Sequence, residues 1–161
     1  MQLSEHIDLC RCGLVAQSNL AISYQRLGRH EEALRIEREV YARRSALYGR
    51  DNESTLISAG NLASTLVDDL QQFDEARAFL RDRIPEAIQF LGKDHDLAFK
   101  MQRMYAKCLY KNDGASLEDI TAAVATLEDL DRRQTRIYGA AHPQTGSTRR
   151  RLAEAREKLA A

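Results

Sequence analysis

The stretch NLAISYQRLGRHEEAL, residues 19–34, returns in altered form as NLASTLVDDLQQFDEAR, residues 61–77. Asn61 stands 42 residues after Asn19, and a near-copy at such a period marks one supersecondary unit stacked on the next. Glycines give the register, because Gly49, Gly92 and Gly139 close the related stretches ALYGRDNEST, QFLGKDHDLA and RIYGAAHPQT. Twelve residues after each comes one helical slot, filled by Asn61, Met104 and Arg151, with Asn19 in the first copy. The spacings are therefore 42, 43 and 47 residues, so the pattern survives insertion.

Each unit reads as two helices. Leu20, Ala21, Tyr24 and Leu27 recur at helical spacing and Gly28 is placed to stop the turn. Ala33, Ile36, Val40, Ala42 and Leu47 continue the pattern to Gly49. Asn52 and His142 precede the next helices as caps, with Pro143 at a favoured first position, and Ser116 with Asp119 forms a near capping box. The helices expected are 8–27, 31–48, 53–70, 74–91, 95–111, 116–138 and 142–159, with no strands. They group as units 8–49, 50–92 and 93–139 and a charged C-terminal capping helix, one array over residues 1–161. KNDGAS reads as a turn-rich insertion, and Pro85 is expected to kink the fourth helix near Arg81.

Composition narrows the function classes. The chain is 43% hydrophobic and 30% charged, which suits a folded chain, and Lys plus Arg balance Asp plus Glu at 24 each. A balanced charge provides no global field toward nucleic acid or a membrane surface, and no apolar run approaches a membrane span. Three cysteines, Cys10, Cys12 and Cys108, are too few and too scattered for a disulfide scaffold and point to a reducing, cytoplasmic setting. Cys10 and Cys12 read as small apolar residues, not as a metal site, and no cofactor is expected. No nucleophile elbow, phosphate loop or paired-histidine zinc motif occurs, and the four histidines lie apart at caps and packing slots, so the expectation is not an enzyme.

The first helix is unusual. Ile7, Leu9, Cys10, Leu14, Val15, Ala16, Leu20, Ile22 and Tyr24 spread around much of its wheel. A helix apolar on several sides expects cover on several sides, from upstream repeats, a partner or a second copy of the chain.

Asn-Leu-Ala followed by Tyr, Gly and Ala, here Asn19, Leu20, Ala21, Tyr24, Gly28 and Ala33, resembles the tetratricopeptide repeat. Asn61, Leu62, Ala63 and Ala76 repeat part of it. The long period and the closing stretches, of which YGAAHPQT keeps His142-Pro143, resemble the 42-residue repeats of kinesin light chains. The resemblance implies an all-α fold, a right-handed α-solenoid of antiparallel helix pairs, in which the first helix of each pair lines a concave groove. By the same resemblance, groove positions are the Asn slot and offsets of −4, −1, +3, +6 and +7 from it. Those chosen as partner-binding are Val15, Asn19, Ile22, Ile57, Asn61, Ser64, Val67, Lys100, Arg103, Lys107 and Lys111.

The last four are also selected without the family. Lys100, Arg103, Lys107 and Lys111 fall within an arc of about 80° on their helix, opposite Leu97, Met101, Tyr105 and Cys108, and no acid lies between Leu97 and Lys111. The expected function is a non-catalytic interaction module that takes an extended acidic-hydrophobic peptide segment. Competing readings are a solvated or neighbour-neutralised stripe, and a structural subunit packed permanently or self-associating through its apolar first helix.

Overall fold

The computed structural model describes the backbone of residues 2–161 and the side chains of residues 12–161. Among these residues there is no strand. The helices are α1 (Gln2–Arg26), α2 (His30–Tyr48), α3 (Glu53–Ser64), α4 (Phe73–Leu91), α5 (Asp96–Lys111), α6 (Leu117–Tyr138) and α7 (Pro143–Ala160). A π-helical turn, Thr65–Asp69, continues α3. The chain divides into two compact units, Met1–Leu70 and Gln71–Ala161. Within the first, α1 packs on α2 and α2 on α3; within the second, α4 to α7 pack in succession and α5 also meets α7. The expected side chains Ile7, Leu9 and Cys10, and with Cys10 the Cys10–Cys12 pair, lie outside the described side chains.

Periodicity in the sequence becomes periodicity in the backbone. Gly49, Gly92 and Gly139 take φ of 87°, 93° and 87°, a region that only glycine enters without strain. Three residues beyond each, Asn52, His95 and His142 cap α3, α5 and α7. Their side chains accept from the backbone N–H two residues on, at 2.9, 3.2 and 3.3 Å. Ser116 and Asp119 form a full capping box at the start of α6. Sixteen residues before each closing glycine stands an alanine, Ala33, Ala76 and Ala123, and each is fully buried.

The site five residues before each closing glycine holds Arg44, Ala87 and Gln134, and nine after it stand Ser58, Met101 and Thr148. All six are buried. Arg44 donates to the Ser58 hydroxyl at 2.6 Å and to that of Ser18 at 3.2 Å, while Thr148 donates to the Gln134 amide oxygen at 2.7 Å. Thus one packing site is built with hydrogen bonds in two copies and with apolar atoms in the third. Burial holds the Arg44 guanidinium below its usual pKa, against the influence of Tyr48.

Apolar cores stabilise each unit. Leu14, Ala21, Ile36 and Val40 pack together in the first. Phe99, Leu109, Tyr110, Leu127, Leu130 and Leu152 do so in the second. Each large side chain removed from water contributes roughly 1.5–3 kcal/mol. Arg77 on α4 clamps Asp119 on α6 with two hydrogen bonds, 2.7 and 3.3 Å, which ties the second helices of neighbouring pairs.

The third expected helix, 53–70, is not uniform. Ala33 follows Asn19 by fourteen residues, whereas Ala76 follows Asn61 by fifteen. The extra residue is absorbed where Leu70 N–H reaches back to the Thr65 carbonyl at 3.0 Å, a five-residue step that defines the π-turn. Gln71, at φ 54°, then takes the place that Gly28, at φ 72°, has in the first copy. α4 runs as one helix through Pro85.

Candidate functional site

α5 and α7 line a cavity of about 370 Å³ within the second unit. From α5 it receives Lys107 and Lys111; from α7 it receives Ser147, Arg150, Arg151 and Glu154. Gln71 and Phe73, at the entry to α4, form a further wall. Relative to the slots at Met104 and Arg151, these positions are +3 and +7 on α5 and −4, −1, 0 and +3 on α7. They are offsets that the resemblance assigns to a groove, although the cavity is defined by shape alone. Spacing of three and four residues puts them on one face of each helix.

Four cations and one carboxylate line this space. Glu154 accepts a hydrogen bond from the Tyr110 hydroxyl at 3.0 Å and pairs with the Lys111 ammonium at 3.1 Å. Burial pushes the Glu154 carboxyl up, but Lys111, the Tyr110 hydroxyl and Arg151 outweigh it and hold the group below the usual carboxylate range. The Lys111 ammonium also lies 5.6 Å from the Tyr110 ring centre, a favourable placement for a cation. Arg150 is exposed and points no ion pair at any described residue. Such a surface can take carboxylates or other oxyanions, which arginine binds through paired N–H groups. No group of histidines, cysteines and acids able to hold a metal occurs among the described residues.

The expected residues divide in several ways. Lys107 and Lys111 meet at the cavity, while Lys100 and Arg103 are half-buried on the same helix and outside its lining. Lys111 is paired with Glu154 of α7, which is what the competing reading of a neighbour-neutralised stripe expects at that position. In the first unit Val15, Ile22 and Ile57 are 49%, 39% and 44% exposed, and Asn19 is exposed. Asn61 and Ser64 are half-buried, and Asn61 borders a minute pocket with Ser18, Glu37 and Ser58.

Val67 is a correction. Expected to offer an apolar contact, it is fully buried. The +6 offset faces inward in all three copies. Gln25 there donates to Glu37 at 3.1 Å and to Thr65 at 2.6 Å, and Tyr110 is buried. Ser147, Arg150, Arg151 and Glu154 were missed because the last helix was read only as a charged cap. Extending the same offsets to Arg151 would have found them.

The first helix does leave apolar surface open. Val15, Leu20, Ile22 and Leu27 are 49%, 47%, 39% and 71% exposed, while Leu14 and Ala21 are buried against α2. Among the described residues no helix is long and apolar enough to cross a membrane.

Residues 14–85 match the family model Tetratricopeptide repeat. Two solved structures of a Podosopora anserina protein, described as a kinesin light chain with nearly identical tetratricopeptide-like repeats, superpose on 91% of this chain at 24% identity. Their TM-scores are 0.79, for a glutamine-to-methionine variant, and 0.78, and the match spans 66% and 67% of those chains. No curated protein sequence matches this one. Helix pairs, closing glycines and buried alanines agree with these likenesses: residues 14–85 carry the tetratricopeptide repeat, and the chain has the all-α solenoid fold of kinesin-light-chain-like arrays.

Proposed function

We propose that the chain is a non-catalytic interaction module whose helix pairs act as one array, binding an extended acidic-hydrophobic segment of a protein partner. Tetratricopeptide repeats generally mediate protein–protein interaction. The observation that carries the finer reading is the α5–α7 cavity, where four cations surround one carboxylate. Lys107, Lys111, Arg150 and Arg151 take the partner's carboxylates. The exposed Val15, Ile22 and Ile57 supply contacts for its apolar side chains, and Asn19 and Asn61 suit its backbone amides. Balanced net charge disfavours nucleic acid as the partner. A reducing, cytoplasmic setting suits Cys12, which is exposed, and Cys108, which is buried.

The test is fluorescence anisotropy with a labelled peptide in which Asp and Glu flank one Trp or Leu. Wild type should bind, and Lys107→Glu with Arg150→Glu should weaken binding by more than about tenfold, because each reversal replaces attraction by repulsion. Binding should also weaken with salt, as exposed charges are screened within about 10 Å at 0.1 M. Undiminished binding by the reversed variant would refute the assignment.

A second reading has its own observation in the open apolar surface of α1. If a copy of the chain or a permanent neighbour covers Val15, Leu20 and Ile22, sedimentation of the isolated chain shows self-association that Leu20→Glu abolishes. A concentration-independent monomer would sink that reading.

A further inference from the structure

We propose that Glu154 is an internal stand-in for the ligand, a resident carboxylate that an acidic partner must displace from Lys111 before the α5–α7 cavity can close on it. This rests on the reading of that cavity as the site for an acidic segment. Glu154 is one turn beyond Arg151 on α7 and lines the same cavity as Lys107 and Arg150. Its oxygen Oε2 already holds the two donors that an incoming carboxylate would seek there, the Lys111 ammonium at 3.1 Å and the Tyr110 hydroxyl at 3.0 Å. The Lys111 and Glu154 side chains are 43% and 37% exposed, so the pair is held loosely enough to exchange with a solute. Tyr110, in contrast, is buried and fixed.

Two consequences follow from charge alone. A segment bearing a single acid gains little, since it exchanges one Lys111 ion pair for another and meets the Glu154 charge. A segment with several acids engages Arg150, Arg151 and Lys107 together and can bear the loss of the internal pair. Glu154 therefore sets a threshold that selects for clustered acids over isolated ones, a form of specificity by repulsion.

The experiment compares wild type, Glu154→Gln and Tyr110→Phe by anisotropy, using one labelled peptide with a run of acids and one with a single acid. Circular dichroism confirms that each variant is helical. Glu154→Gln should tighten binding of both, by about three- to tenfold, the scale of one exposed ion pair plus one removed like charge. The gain should be proportionally larger for the single-acid peptide. Tyr110→Phe, which loosens Glu154 without changing charge, should shift affinity in the same direction by a smaller factor. The gain from Glu154→Gln should vanish when Lys111 is Met. Unchanged or weaker binding by Glu154→Gln, while Lys107→Glu with Arg150→Glu still abolishes binding, overturns the displacement role and leaves the acidic-segment reading standing. Absence of binding by wild type and by Glu154→Gln overturns both.

Discussion

Thr148→Val removes the donor that satisfies the Gln134 amide oxygen, now 2.7 Å away. Both side chains are fully buried, and the Gln134 Nε2 group has no hydrogen-bond partner among the described residues. Stranding the oxygen as well leaves an amide desolvated at both ends, a cost of about 1–3 kcal/mol. A chain of this size loses about 2–4 °C of melting temperature per kcal/mol, so thermal melting followed by circular dichroism should fall by roughly 2–12 °C. The remedy is written in the preceding helix pair, where the equivalent positions are Ala87 and Met101, both fully buried. The double variant Gln134→Ala, Thr148→Met transplants that apolar pair with little change in volume, and removes two buried polar groups that are only half satisfied. It should melt well above Thr148→Val and at or above wild type, with strong non-additivity in the mutant cycle. A Thr148→Val variant within about 1 °C of wild type, or a double variant below the single one, would refute the equivalence of the two packing sites.

Two further outcomes can be checked in the same assay. Gly92→Ala meets no atom within 4 Å, so its effect isolates backbone strain at φ 93° and should cost about 1–3 kcal/mol; melting equal to wild type would remove that argument. The hydrogen bonds from Arg77 hold the Asp119 carboxyl below its ordinary value, with the Ser116 contacts acting in the same direction. A carboxyl whose folded pKa is depressed contributes stability above its unfolded pKa, and that contribution is lost as pH falls through the folded value. Arg77→Met should therefore narrow the stability gap to wild type as the solution is acidified below about pH 4, and a gap independent of pH would contradict it.

Much of the architecture is legible because it follows from residues with one job. Glycine at Gly49, Gly92 and Gly139 marks backbone that other residues reach only with strain, and Asn52, Ser116 and His142 announce helix starts. The cavity was half legible. Lys107 and Lys111 stood out as an acid-free stripe, but the residues that complete the cavity come from α7, about forty residues away, and a charged helix gives no sign of which of its cations face inward. Val67 was misplaced for a different reason. The offset that predicted it stands about 120° round the helix from the Asn slot and faces inward in all three copies; the π-turn, which lengthens this unit by one residue, was a separate miss. The clue, fifteen residues from Asn61 to Ala76 against fourteen from Asn19 to Ala33, is a single count among approximate repeats.

That turn alters how the array tolerates change. In a periodic chain an added residue ordinarily sends everything downstream out of phase, unless a loop takes it up, as the insertion before α6 does. Here the addition is swallowed inside a helix, between Thr65 and Leu70, and Ala76 still finds the buried place that Ala33 and Ala123 occupy. Repeat length in this molecule is thus free to drift by one residue without breaking the stack, and the helix itself serves as the expansion joint.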